Sequence, residues 1–330
     1  MTPLDHDPAF PSPPPRAEVE RCYRHPDVET GVHCTRCGKP ICTDCMVPAP
    51  VGHQCPDCVA EARREFRRGP GRQIAIAEAK AFSATRALLI AIGVVYVIEV
   101  AVGGAGSLLS GPSSRQLVDL GGEVPLGIQV DGAIIGVATG QYWRLVTAMF
   151  LHGGILHAAM NAWVLYVLGT ALERELGRAR FVAVYVLSGL FAGAASYAFT
   201  ALQAGNGSFE SLTVVSVGAS GAIFGLFGAF VAFNWRRRHL ALANARLRQI
   251  LPWIVLNLVF SFSLPFIDWR AHVGGLVAGL AAGYAVEGLG PDAATKRWTS
   301  IAGLALVLLA AVALTAWGTM RIRDLVPQAF

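Results

Sequence analysis

Four polar side chains interrupt long apolar runs at points where chemistry could be done: His157, Asn161, Ser220 and His272. A serine hydroxyl is a weak nucleophile until a base takes its proton, and a neutral histidine is the usual base. Attack on a carbonyl creates an oxyanion, which needs preorganised donors. His157 and Asn161 stand four residues apart, so they share one helix face, and both offer N–H groups. The backbone N–H of Ser220, near the start of an apolar run, adds a third donor. A second constellation lies at the other end of the chain. Cys22-x-x-His25, Cys34-x-x-Cys37, Cys42-x-x-Cys45 and Cys55-x-x-Cys58 supply eight ligands, enough for two tetrahedral metal sites. His33 and His53 are further histidines that could replace a named ligand.

The elements that must carry these groups follow from composition. Of the 330 residues, 54% are hydrophobic and only 15% are charged, against about 25% charged in an ordinary soluble domain. The net charge of +5 comes mostly from basic residues flanking apolar runs, which suits membrane topology better than nucleic-acid binding. All seven cysteines fall between Cys22 and Cys58, and an odd number in CxxC pairs argues for metal in a reducing compartment rather than disulfides. Residues 1–20 read as a disordered, Pro-rich tail without the apolar core of a signal peptide. Residues 21–60 form the metal-binding block, and 61–83 a basic linker with Arg63, Arg64, Arg67, Arg68 and Arg72.

A membrane-spanning helix needs ~20 mainly apolar residues. Seven such spans are expected, at roughly 86–103, 146–169, 181–202, 215–235, 249–266, 271–289 and 300–318. The connection from Gly104 to Trp143 is long, Gly-rich and partly apolar, more than a simple loop. With a cytoplasmic N-terminus, ten Lys and Arg residues fall in inner loops and three, Arg115, Arg144 and Arg270, in outer ones. The positive-inside rule therefore favours that orientation, although Arg321 and Arg323 beyond the seventh span count mildly against it. Even-numbered spans then all run inward, and His157, Asn161, Ser220 and His272 each lie near the start of one. The four groups are expected at similar depth, toward the outer leaflet. Gly221, Gly225 and Gly228 on span four and Gly275, Gly279 and Gly283 on span six predict close backbone approach of those two helices, which brings His272 to Ser220.

On these residues the sequence resembles the rhomboid intramembrane proteases. The matching motifs are Gly218-x-Ser220-Gly221, Ala271-His272-x-x-Gly275-x-x-x-Gly279, His157-x-x-x-Asn161 preceded by His152, and the pair Trp143-Arg144. The resemblance covers roughly residues 84–290 and implies a Ser220–His272 dyad, an oxyanion role for His157 and Asn161, no metal in catalysis, and cleavage of single-pass transmembrane proteins. Phe224 stands where rhomboids often carry tyrosine, and its ring can still pack on the His272 imidazole. The block at 21–60 resembles a B-box-type zinc finger. This implies two structural zinc ions, one shared by the first and third ligand pairs and one by the second and fourth.

Taken singly, each of these residues has a plainer reading. A serine in a span bonds back to its own helix, histidine and asparagine can join helices, His152 and Glu173 read as structural, and Arg144 orders the first connection. The expected fold is an all-α polytopic membrane protein. It has a six-helix rhomboid core at 84–290, one added C-terminal span within 291–330, and a small zinc-binding domain in front. The expected function is that of an intramembrane serine endopeptidase in a bacterial plasma membrane. The alternative is a non-catalytic membrane adaptor that binds transmembrane helices and recruits a cytoplasmic partner through its zinc module. A transporter is disfavoured because the third and seventh spans hold no mid-membrane ionisable residue.

Overall fold

The computed structural model describes residues 19–68, 83–126, 128–130 and 133–329. Nearly all of the expected Pro-rich tail, and the linker from Gly69 to Phe82, lie outside the described residues. The chain divides into two compact units, Met1–Ala81 and Phe82–Phe330.

In the first unit, a 3-10 turn at Thr43–Cys45 leads into a two-stranded antiparallel ribbon, Val47–Pro48 with His53–Gln54. A helix, Pro56–Arg68, closes the unit. Its buried residues are Cys22, Cys34, Cys42, Cys45, Cys55, Cys58 and Ile41, with Tyr23 and Met46 packed against them. A core made almost wholly of thiols supplies little hydrophobic free energy. The closing helix also runs further than expected: Arg63, Arg64, Arg67 and Arg68, assigned to the linker, belong to it. Arg36 reaches this helix through Glu65 at 3.1 Å, a fold-back that composition does not reveal.

The second unit is all-α and polytopic. Among the described residues, seven long helices follow in chain order: Ala84–Gly103, Ile155–Leu176, Arg178–Gly205, Ser220–Trp235, Ala241–Ser263, Trp269–Ala285 and Ala293–Leu325. The first, second, third and seventh are long and apolar enough by themselves to cross a membrane. The fourth is apolar but only 16 residues long. Their outward faces are hydrophobic, as Ile90, Val94 and Val97 on the first helix and Val255, Val259 and Phe262 on the fifth illustrate. The fourth and sixth helices make the most extensive helix contact in the unit, and the seventh packs along the third.

Two spans begin later in the chain than expected. The second helix begins at Ile155, not near 146. Residues Arg144–Thr147 form one helical turn and Ala148–Phe150 a 3-10 turn, after which Gly153 and Gly154 redirect the chain, Gly154 with φ +136°. The run from Val146 to Leu151 is apolar enough to read as membrane helix, but Ala148, Met149 and Leu151 are buried inside the fold. The fourth helix begins at Ser220 rather than 215. Before it, Ser216 pairs with Glu123 in an antiparallel bridge, and Gly218 has φ +132°. The connection from Gly104 onward holds short helices at Ser107–Ser110 and Ser114–Asp119 and a hairpin, Ile128–Val130 with Ala133–Ile135.

The seventh helix is longer than expected, 33 residues, and takes Arg321 and Arg323 into its last turns. Arg323 donates to Ala138 O in the first connection, at 3.3 Å and 3.4 Å. Arg323, beyond the expected span, is therefore tied to the first connection. Glu173, near the end of the second helix, caps the first: it accepts from Ser83 Oγ, Ala84 N, Thr85 N and Thr85 Oγ1 at 2.7–2.9 Å.

Candidate active site

Helix–helix distance sets the site. A Cβ on Gly275 would overlap the carbonyl oxygen of Gly221, and one on Gly279 that of Gly225. With no side chains between them, the backbones touch. His272, one turn into the sixth helix, is thereby held against Ser220, the first residue of the fourth. His272 Nε2 lies 2.7 Å from Ser220 Oγ. The Phe224 ring stacks on the imidazole with centroids 4.2 Å apart and planes 16° from parallel.

His157 and Asn161 sit on one face of the second helix, in its first two turns. Gly153 N–H donates to His157 Nδ1 at 3.3 Å, so the neutral ring carries its proton on Nε2. That nitrogen faces Gly218, where a Cβ would stand 2.8 Å from both Nε2 and Cε1 and 3.5 Å from Ser220 Oγ. Position 218 must therefore lack a side chain for His157 to reach the serine. Asn161 is buried, and its Nδ2 has no hydrogen-bond partner among the described residues. His157, Ser220 and His272 thus meet around Gly218 and the start of the fourth helix, and Asn161 lies one turn beyond His157 on the second helix. The N–H groups of the fourth helix's first turn, beside the Ser220 hydroxyl, lack intrahelical partners.

Arg144 is buried and binds the first connection together. Its Nη1 donates to Val118 O at 2.7 Å and Gly122 O at 2.9 Å, and its Nε to Gln141 Oε1 at 2.7 Å. His152 is fully buried beside His157, with ring centroids 5.0 Å apart.

Three residues that sequence reasoning left without a role belong to the same region. Glu99, on the first helix, accepts from His152 N–H at 2.9 Å and so fixes the turn that precedes the second helix. Asp268 caps the sixth helix through Ala271 N and accepts from Ser196 Oγ at 2.6 Å and Ser216 Oγ at 2.7 Å. It ties the His272 helix to the segment that leads into Ser220. An Asp just before an apolar run is a readable helix-start signal, so this one was within reach of the sequence. Ser261, on the fifth helix, lies 2.6 Å from His272 Nδ1; no pattern marks it.

In the first unit, the ligand pairs cross. Cys22, His25, Cys42 and Cys45 form one group, and Cys34, Cys37, Cys55 and Cys58 the other, with ligand atoms in each within 4.8 Å of one another. A tetrahedral metal with metal–sulfur bonds of about 2.3 Å has ligand–ligand edges of about 3.8 Å. The separations fit: 3.7 Å for Cys37–Cys55, and 3.8 Å, 3.2 Å and 3.5 Å from His25 Nδ1 to Cys22, Cys42 and Cys45. Burial opposes ionisation of Cys22 and Cys34, but backbone N–H donors outweigh it and draw both thiols down to about 6. His33 pairs with Glu20 and His53 lies in the ribbon, so neither joins a ligand group.

Comparison with known proteins agrees with the helical unit. Residues 139–288 match the Rhomboid domain family. The chain is 38% identical over 152 residues to rhomboid protease GluP of Bacillus subtilis, covering 46% of this chain and 27% of that protein. It is 37% identical over 150 residues to YdcA of the same organism, covering 46% of this chain and 70% of YdcA. With rhomboid-like protease 2 of Toxoplasma gondii it shares 33% over 193 residues, 57% of this chain and 60% of that protein. The chain belongs to the rhomboid family.

Proposed function

We propose that the helical unit is an intramembrane serine endopeptidase that cleaves transmembrane proteins with a Ser220–His272 dyad. The 2.7 Å contact between His272 Nε2 and Ser220 Oγ carries the reading. His272 takes the hydroxyl proton as Ser220 Oγ bonds to the substrate carbonyl carbon. The oxyanion then accepts from His157 Nε2–H, Asn161 Nδ2–H and the backbone N–H of Ser220. Collapse breaks the C–N bond, and the proton on Nε2 passes to the leaving nitrogen. Water, deprotonated by the same imidazole, hydrolyses the acyl-enzyme and restores Ser220. The unpartnered Asn161 amide supports this, because a buried donor without a partner is costly unless something accepts from it.

The substrate class follows from the setting. A site reached through hydrophobic helices suits a transmembrane segment that enters from the lipid and unwinds to present a carbonyl. The surplus of basic residues in alternate loops supports a cytoplasmic N-terminus with the dyad toward the opposite face. The thiol clusters are assigned two structural zinc ions in a B-box-type cross-brace, since thiolate and imidazole ligands at tetrahedral separations suit zinc.

A fluorophosphonate probe on the purified full chain tests the assignment. Labelling is expected on Ser220 and should vanish in Ser220→Ala and His272→Ala, with cleavage of a model transmembrane substrate lost in parallel. A non-catalytic adaptor, which no observation here favours, predicts no labelling of the wild type.

A further inference from the structure

Both ring nitrogens of His272 are engaged, on opposite sides of the imidazole. Nε2 faces Ser220 Oγ at 2.7 Å, and Nδ1 faces Ser261 Oγ at 2.6 Å. Ser261 lies on the fifth helix and is buried. Its Oγ also stands 2.7 Å from the carbonyl oxygen of Asn257, one turn back on the same helix.

Proton counting decides the direction of these bonds. A serine hydroxyl has one proton to give, and a carbonyl oxygen can only accept. The Ser261 proton therefore goes to Asn257 O, a bond serines in helices commonly make. Were it given to His272 instead, two oxygens would face each other at 2.7 Å with no proton between them. Ser261 is left with lone pairs toward the ring, so His272 Nδ1 must carry a hydrogen and donate it. The lone pair of the neutral ring then sits on Nε2, against Ser220. This is the tautomer that can accept the serine proton, whereas the other tautomer cannot.

Another polar group near the ring is otherwise engaged. The Asp268 carboxylate, one turn before His272, accepts from Ser196, Ser216 and Ala271. Phe224 covers one ring face. Ser261 is the Nδ1 partner among the described residues.

We infer that Ser261 is a positioning residue for the base: a neutral hydroxyl that fixes the tautomer and orientation of His272 and accepts from the imidazolium that forms. The inference rests on the Ser220–His272 reading. Every proton transferred in the reaction enters and leaves through Nε2. The Nδ1 hydrogen stays on nitrogen throughout, and Ser261 gains and loses nothing.

Threonine and valine share one shape and differ by the hydroxyl, so Ser261→Thr and Ser261→Val separate hydrogen bonding from packing. In the purified full chain, Ser261→Val should lower kcat on a model transmembrane substrate by roughly 10- to 100-fold, the range for removing an outer partner of a ligating histidine. That is less than the roughly 10⁴-fold for a carboxylate orienter, because a hydroxyl carries no charge. KM should stay within about two-fold by the same logic, since Ser261 does not touch substrate. Ser261→Thr should recover most of the loss, and Ser261→Ala, which cannot overpack, should match valine. Fluorophosphonate labelling of Ser220 should slow in the same order. Wild-type kcat in Ser261→Val or Ser261→Ala, a loss confined to KM, or threonine as slow as valine would overturn the inference while Ser220→Ala remains inactive. Cleavage persisting in Ser220→Ala would overturn the dyad and this inference together.

Discussion

Gly279 of the sixth helix stands directly against the carbonyl of Gly225 on the fourth, with no room for a Cβ. The obstruction is backbone, which cannot rotate aside as a side chain can. Gly279→Ala must push the two helices apart and with them Ser220 and His272. Overpacking of this kind costs about 1–3 kcal/mol, and the dyad tolerates little displacement. Thermal unfolding in detergent should show a lower midpoint for Gly279→Ala, with cleavage falling more steeply than stability. Gly93→Ala in the first helix, where a Cβ meets nothing within 4 Å, is the control and should match wild type in both measurements.

The hydrogen bond from Gly153 N–H to His157 Nδ1 makes the opposite nitrogen a donor. His157→Ala and Asn161→Ala should each lower kcat by about 10²–10³-fold, the effect of removing one oxyanion donor from a soluble serine protease. KM should change little, because the donors act on charge that exists only in the transition state. Steady-state kinetics on one substrate decide this. If the loss sits in KM with kcat intact, these groups bind substrate rather than stabilise the oxyanion.

Much of this arrangement was legible in the sequence because membranes restrict the options. Polar groups in apolar helices are expensive, so Ser220, His272, His157 and Asn161 stood out, and the glycine spacing told which helices touch. Where legibility failed, hydropathy was the wrong observable. Ala148, Met149 and Leu151 are apolar because they are packed inside the protein, so hydropathy alone starts the second span too early. Glu99 was visible but unassigned, since its partner is a backbone N–H some 53 residues away. Ser261 carries no signal: an i to i−4 hydroxyl bond explains any serine in a helix, and only the approach of the sixth helix gives it another partner.

Glu173 gathers four donors from the start of the first helix, two of them backbone N–H groups. Glu173→Ala strands these groups in a partly buried place, at a cost of about 1–3 kcal/mol. The site lies elsewhere, so the variant should melt at lower temperature yet keep wild-type kcat below its transition. A kcat falling in proportion to stability at low temperature would show that the first helix helps to shape the site.

The two units should fail independently. Among the described residues, the buried core of the first is six cysteines and one isoleucine, and so small a unit cannot bury enough apolar surface to fold without staples. Metal analysis of the full chain should therefore return two zinc ions. Cys34→Ser, which damages one ligand group, should leave about one, because the groups share no residue. A strong chelator should unfold this unit, since the binding free energy of a structural metal is folding free energy. The helical unit has its own core, built around Phe181, Tyr185, Leu226 and Phe227, and the dyad is made from its residues alone. Chelation should accordingly leave cleavage of a model substrate unchanged, and so should deletion of residues 1–70. Following tryptic susceptibility of the first unit alongside cleavage in one titration separates the outcomes. Proteolysis of the first unit with full retention of activity is expected. Activity that falls as the metal leaves would mean that the zinc module supports the catalytic unit directly.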